Sequence, residues 1–405
     1  MLDLQRYIML FEGGAGGHMA HPFDYTDFTA NDLIELVDSL FKGKVENLKE
    51  KLDGFNVNAS MNNDGEIIFI RNNTERNSER GGVLLKDLEA RWDGKEHQKK
   101  VFMTAGKIIE KIFPKVGKEF FNPDDTHRKI INCECIIAGK TNIMPYAKDR
   151  VAFHGYTIWE KGTDKKGEFT WIEKEDVEGH VDELYKAAEG IDEAKPRPNL
   201  MIKNLEDSIK FAEKFTKAIT KLWEDEGLKT TDSVEDWKKI RFKKLAPDWC
   251  KEDIDIFNRL CNGDKSINLR ELRKRYPNED LSDLDKGMKR SLPAQIMEPM
   301  DNLFLAIGNE LLDQLEGFVN SDDKENIISI VKQDTEEIIK TIEKSDSVDA
   351  KDKLEKCMRR LQALGNKYNA AEGIVVMYKG RRMKFTGSFA AINGALGTRF
   401  MIENK

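Results

Sequence analysis

The hydrophobic pattern of this chain changes period twice, and no other feature constrains its fold as much. Short segments of strand character recur up to about residue 172. From 173 to 368 the chain is highly charged and its apolar residues return at helical spacing. Ile202, Leu205, Ile209, Ala212, Phe215, Ile219 and Leu222 form one such stripe, and Ile327, Val331, Ile338 and Ile342 form another. Strand character resumes with Gly373 to Tyr378 and Arg382 to Phe385, around a Lys379-Gly380 turn. A chain of 405 residues is too long for one ordinary core. The expected architecture is therefore α+β. An antiparallel-sheet domain is built from residues 31–172 and 369–405, and an all-helical domain, 173–368, is inserted into it. Residues 1–30 form a separate Gly-rich segment.

Local signals fill in this outline. Thr29 or Asn31 is expected to cap a helix whose apolar positions are Leu33, Leu36, Val37 and Leu40, with Gly43 as its stop. Asn62-Asn63-Asp64-Gly65 joins two strand-like runs, Gly54 to Ser60 and Glu66 to Arg71, as a hairpin. Helices are expected over Leu84 to Trp92 and His97 to Phe113, and strands over Lys129 to Ala138, Arg150 to Trp159 and Phe169 to Ile172. Cys133 and Cys135 sit two apart in an apolar run, so a strand turns both to one face as reduced core residues. Cys250, Cys261 and Cys357 give no ligand pairs of the kind zinc needs. His18 and His21 lie in a loop rich in glycine and proline, for which packing beside the sheet outweighs phosphate binding.

The net charge of −7 argues against a protein that coats nucleic acid, though it leaves room for a local basic groove. Two clusters could supply one: Lys379, Arg381, Arg382 and Lys384, or Arg270, Arg273, Lys274 and Arg275. The second reads as a solvated helix face. No apolar run is long enough to cross a bilayer, and the run Tyr7 to Phe11 is too short for a signal core, so the chain is expected to stay in the cytoplasm.

The chemistry is concentrated in Glu50-Lys51-Leu52-Asp53-Gly54. Lys-x-Asp-Gly alone arises easily in a chain rich in lysine and aspartate, but here other short motifs follow it in order. Arg71 ends the second hairpin strand. Glu134 stands in Asn132-Cys133-Glu134-Cys135-Ile136, Tyr156 in Phe153-His154-Gly155-Tyr156-Thr157-Ile158, Glu372 in Ala371-Glu372-Gly373-Ile374, and Lys384 in Arg382-Met383-Lys384. Together they resemble the ordered motifs of the covalent nucleotidyltransferase superfamily, which holds ATP-dependent DNA ligases, RNA ligases and messenger-RNA capping enzymes.

The resemblance implies an ATP-grasp-like ligase domain that uses ATP and Mg2+. It makes Lys51 the nucleophile, Arg71 a contact to the nucleotide, Glu134 the ribose ligand, and Tyr156 the residue stacked on the base, with Phe153 as fallback. Glu372 would place the metal or the lysine, and Arg382 and Lys384 would neutralise phosphate charge. Glu50, Asp53, Gly54 and Asn56 would line the nucleotide site.

A lysine with its ordinary pKa of about 10.4 is protonated at neutral pH and cannot attack phosphorus, so cationic neighbours and a desolvated pocket are what such a nucleophile requires. Arg382 departs from the family, which has lysine there, and arginine does not serve readily as a proton acid. About 210 residues separate the Tyr156 and Glu372 motifs, and about 20 follow Lys384. The short tail leaves no room for the OB-fold of DNA ligases and capping enzymes. The resemblance therefore points to a phage-type RNA ligase acting on nucleic-acid ends, RNA before DNA, with no membrane partner. A protein partner on the helical insertion is the minority expectation. The rivals are a nucleotidyltransferase with a protein or small-molecule acceptor, and a non-catalytic binding or structural protein that kept the fold.

Overall fold

The computed structural model describes residues 19–78, 80–139, 144–163, 169–178, 180–245, 281–393 and 395. His18, the glycine run before it, Cys250, Cys261 and the Arg270 to Arg275 cluster lie outside them. The chain runs α1 (Ala30–Phe41), β1 (Lys49–Lys51), β2 (Phe55–Met61), β3 (Ile67–Ile70), β4 (Val83–Leu84), α2 (Glu96–Ile109), β5 (His127–Ile136), β6 (Arg150–Thr163) and β7 (Phe169–Glu178). It continues through α3 (Leu205–Glu224), α4 (Val234–Leu245), α5 (Leu281–Gln314), α6 (Lys324–Glu343) and α7 (Val348–Ala363) to β8 (Gly373–Tyr378) and β9 (Arg381–Thr386). Among the described residues every strand pairing is antiparallel, as expected for an α+β chain. Among the described residues no helix is long and apolar enough to cross a membrane.

The described chain divides into two compact units, one of residues 17–51 and 199–405, the other of 52–198. These boundaries differ from those expected at 172/173 and 368/369. β8 and β9 do join a sheet with an N-terminal strand, but that strand is β1 alone, in the order β1-β8-β9. The six-stranded sheet, β4-β3-β2-β5-β6-β7, is separate. Residues 173–198 belong with it because β7 runs on to Glu178, and Val181, Leu184, Ala188 and Ala194 fill its core. α1 belongs with the helices: Leu33, Leu36, Val37 and Leu40 share a core with Phe215, Ile219 and Trp223 of α3.

In the first unit, Ile374, Val376, Met383 and Phe385 turn one face of the small sheet onto Phe304, Ile307 and Leu311 of α5. Each such side chain, fully buried, contributes roughly 1.5–3 kcal/mol. Gly308 sits inside α5 where any Cβ would collide with the Thr386 backbone. Its absence allows helix and strand to touch, which outweighs the ~1 kcal/mol that glycine costs in a helix. Thr29 caps α1, its hydroxyl accepting from the Asp32 amide at 3.2 Å, and Lys379 and Gly380 take the two positive φ values (50° and 71°) that a tight hairpin turn demands. Ile202 falls outside its expected helix, in a two-residue ribbon with Leu315, because Asn204 caps α3 and starts it at Leu205.

In the second unit the two faces of the six-stranded sheet differ. Val57, Ala59, Phe69, Ile131, Cys133, Cys135, Val151 and Phe153 pack under Val101, Phe102, Ala105 and Ile109 of α2. Cys133 and Cys135 are free and buried, with burial pushing both thiols up, Cys135 to about 12. The opposite face carries a smaller apolar cluster, Ile68, Ile70, Leu84, Ile130, Trp159 and Trp171. Beside it, in the same alternation, stand Asn56, Asn58, Asn132 and Glu134. The helix expected over Leu84 to Trp92 begins instead as β4, and only Leu88 to Arg91 is α-helical.

Candidate functional site

In the first unit the site is built on β1-β8-β9. Lys51 pairs with Gly373, Lys49 with Val375, Val375 with Lys384, and Met377 with Arg382. Directly paired residues share a face and alternate residues return to it, so Lys49, Lys51, Arg382 and Lys384 all lie on the face away from the Ile374–Phe385 core. Gly373 is required where it stands, since a Cβ there would collide with the Phe385 carbonyl.

Lys51 Nζ lies 2.6 Å from Glu372 Oε1, with the lysine side chain 20% and the glutamate 8% exposed. A carboxylate at that distance is positioned to take the ammonium proton. Lys384 is tied down by its backbone N–H, which donates to the Ala20 carbonyl at 2.8 Å, and the Tyr25 hydroxyl donates to the Arg382 carbonyl at 2.6 Å. Burial pushes the Asp24 carboxyl up, against the opposing charges of Lys238 and Lys384. The basic cluster expected near β9 divides. Lys379 is paired with Asp32 at 2.6 Å and Glu35 at 3.2 Å, while Arg381 is paired with Asp27 and lies over the Tyr25 and Phe28 rings. Only Arg382 and Lys384 of the four share the Lys51 face.

In the second unit the centre is Glu134. Its Oε1 accepts from the Gly54 amide at 3.0 Å, and its Oε2 is 3.0 Å from His154 Nε2. A Cβ on Gly54 would sit 2.6 Å from Glu134 Cγ, so glycine is required there. Asp53 is anchored twice: its amide donates to the Tyr146 hydroxyl at 2.9 Å and its Oδ2 accepts from the Met144 amide at 2.8 Å. The Asn56 amide donates to Asn132 Oδ1 at 2.9 Å and its Oδ1 accepts from Asn58 at 3.3 Å, a row of amides on the Glu134 face. Arg71 follows β3, and its amide donates to Glu75 Oε2 at 2.7 Å; Glu75 is in turn held by Arg91 at 2.8 Å.

Three expected residues stand elsewhere. Tyr156 pairs with Ile131 and packs against Phe120, with the Lys129 ammonium 4.9 Å from its ring centroid, so it belongs to the α2-covered face rather than to the face of Glu134. Phe153 pairs with Cys133 and lies in the same core. The cause is a β-bulge: Asn132 pairs with Gly155 and Cys133 with Phe153, which leaves His154 as the extra residue and brings both aromatics to one side. Glu50 alternates away from Lys51, is 1% exposed, and accepts from the Val319 amide at 2.6 Å.

Sequence reasoning passed over His154 and Arg197. The Arg197 guanidinium lies 3.0 Å from His154 Nδ1, and the only cue was the Lys195-Pro196-Arg197-Pro198 connector. Among the described residues, no three His, Cys, Asp or Glu side chains are grouped to hold a metal ion. Magnesium needs no such cage, because one or two carboxylates and the phosphates of a nucleotide suffice, and Glu372 is the acid at hand beside Lys51.

No family model matches the chain, and no curated protein matches it. Among solved structures, an archaeal ATP-dependent RNA ligase (form 2) aligns over 94% of this chain and 81% of its own, at 13% identity and a TM-score of 0.21. A likeness of that degree carries no argument. The case for a function rests on the residues themselves.

Proposed function

We propose that the protein is an ATP-dependent nucleotidyltransferase that works through a covalent Lys51–AMP intermediate, with polynucleotide ends, RNA first, as acceptor. The observation that carries this is the Lys51–Glu372 pair at 2.6 Å, largely shielded from solvent, with Lys51 on the same sheet face as Arg382 and Lys384. A half-buried lysine beside a carboxylate base, on a sheet face that also carries cations, is suited to attack on phosphorus.

Glu372 takes the proton and Lys51 Nζ bonds to the α-phosphorus. The bond to the bridging oxygen breaks, and pyrophosphate leaves with that electron pair. Arg382 and Lys384 neutralise charge on the equatorial oxygens. A 5′-phosphate oxygen then displaces the lysine, and a 3′-hydroxyl displaces AMP. Magnesium, bound through the nucleotide's phosphates and Glu372, would supply further charge neutralisation. By the resemblance of the sequence motifs, Glu134 and Asn56 would take the sugar and Arg71 a phosphate. The expected base-stacking role of Tyr156 is not retained.

The test is incubation with α-phosphate-labelled ATP and magnesium followed by denaturing electrophoresis. A labelled band that vanishes in Lys51→Ala supports the mechanism; an unlabelled wild type with both ATP and GTP rejects it. The net charge of −7, and the consumption of Lys379 and Arg381 in internal ion pairs, favour a second acceptor class, a protein or small molecule. Ligation assays with nicked duplex and single-stranded RNA separate the two.

A further inference from the structure

Gly54, Glu134, His154 and Arg197 form one continuous chain of hydrogen bonds, each link near 3.0 Å. Its chemistry fixes its direction. A guanidinium has only donors, so His154 Nδ1 must accept from Arg197 through its lone pair. The ring proton is therefore on Nε2, where it donates to Glu134. Glu134, receiving both the Gly54 N–H and the imidazole N–H, acts as a carboxylate acceptor at both oxygens.

His154 is available because the β-bulge makes it the extra residue of β6, and the bulge is held from outside the sheet. The Tyr185 hydroxyl accepts from the Phe153 amide at 3.1 Å and donates to the Phe153 carbonyl at 2.9 Å. One phenol thus clamps both backbone groups of the residue before His154.

The ends of this chain are notable. Gly54 is the third residue after Lys51, and Arg197 lies in the last segment before Pro198, so the relay spans the two stretches at which the chain enters and leaves the 52–198 unit. We propose that His154 and Arg197 are positioning residues for the nucleotidyl transfer at Lys51. They hold the Glu134 carboxylate, which fixes Gly54 and with it the Lys51-x-Asp-Gly segment, and they join that segment to the Lys195–Pro198 connector. The functional half of this statement rests on the proposed role of Lys51; the mechanical half does not.

Two measurements address the mechanical half without any nucleotide. Long-range proton–nitrogen NMR of the imidazoles in wild-type protein at pH 7.5 is expected to show His154 as the Nε2–H tautomer. An Nδ1–H tautomer would overturn the relay. Hydrogen exchange is expected to show the Gly54 amide speeding up by about tenfold or more in both His154→Ala and Arg197→Ala, the factor for losing one charge-assisted hydrogen bond. Unchanged exchange in both variants would equally overturn it. Arg197→Lys keeps a donor and is expected to recover part of the protection.

The functional half is read as a split. In both alanine variants the rate of Lys51 labelling at saturating ATP falls about tenfold or more, while labelling still reaches completion, as displacement of a reacting group requires. Labelling at the wild-type rate would limit the relay to a structural clamp and overturn the positioning role. If the wild type takes no label while Gly54 exchange responds as stated, the Lys51 mechanism fails and the clamp stands.

Discussion

Lys51 and Glu372 each lower the other's cost of burial. A lysine 20% exposed and a glutamate 8% exposed would each incur a desolvation cost if isolated, and at 2.6 Å they offset it. Glu372→Gln keeps the shape and removes the base. It is expected to slow Lys51 labelling by about 10²-fold or more, the usual contribution of a placed proton acceptor, and quantitative labelling against time checks this. Gly54→Ala belongs to the same scale. The added methyl would sit 2.6 Å from Glu134 Cγ, so either the strand start or the carboxylate must shift. A loss of roughly 1–3 kcal/mol in urea-denaturation stability is expected, together with slower labelling.

Much of the element scale was legible in sequence, and the failures have physical causes. The Asn62–Gly65 turn, the Thr29 cap, the Lys379-Gly380 turn and the cysteine face were readable because short-range chemistry decides them. Alternation also placed Glu134 on the face opposite Cys133. The same rule implied that one of Phe153 and Tyr156, three residues apart, must share the Glu134 face. The bulge breaks that parity and no residue in the sequence announces it; His154 takes the place instead. Which strand partners β8 was illegible for another reason: pairing across more than 300 positions depends on packing against α5, not on local pattern.

Between helices, Asp301 of α5 faces Arg360 of α7 at 3.5 Å, yet burial outweighs that charge and pushes its carboxyl up to about 6. An acid with a raised folded pKa binds its proton more tightly when folded, so its contribution favours folding below about pH 4 and is lost as pH rises to about 6. Asp301→Asn removes that penalty. The stability of the variant relative to wild type is expected to improve by up to about 3 kcal/mol between pH 4 and pH 7.5, read from paired urea titrations.

At the scale of the whole molecule the charge balance decides how a polynucleotide could be held. A chain of net charge −7 gains no general attraction to phosphate, and of the basic side chains near β9, Lys379 and Arg381 are committed to Asp32, Glu35 and Asp27. The Lys51 face itself carries three cationic side chains, Lys49, Arg382 and Lys384. Three phosphate contacts to single-stranded RNA give a slope of about −2 in log affinity against log salt, or a loss of about 20-fold between 50 and 200 mM. A protein that tracks a long strand through six to ten contacts loses roughly 10³ to 10⁵ over the same range on duplex DNA. Fluorescence titration of a short 5′-phosphorylated RNA across that salt range separates these regimes. A shallow slope places recognition at the strand end beside Lys51, and a steep one would require a phosphate track that this face does not supply. Binding too weak to measure at 50 mM, in a protein that still labels at Lys51, would move the acceptor out of the nucleic acids altogether.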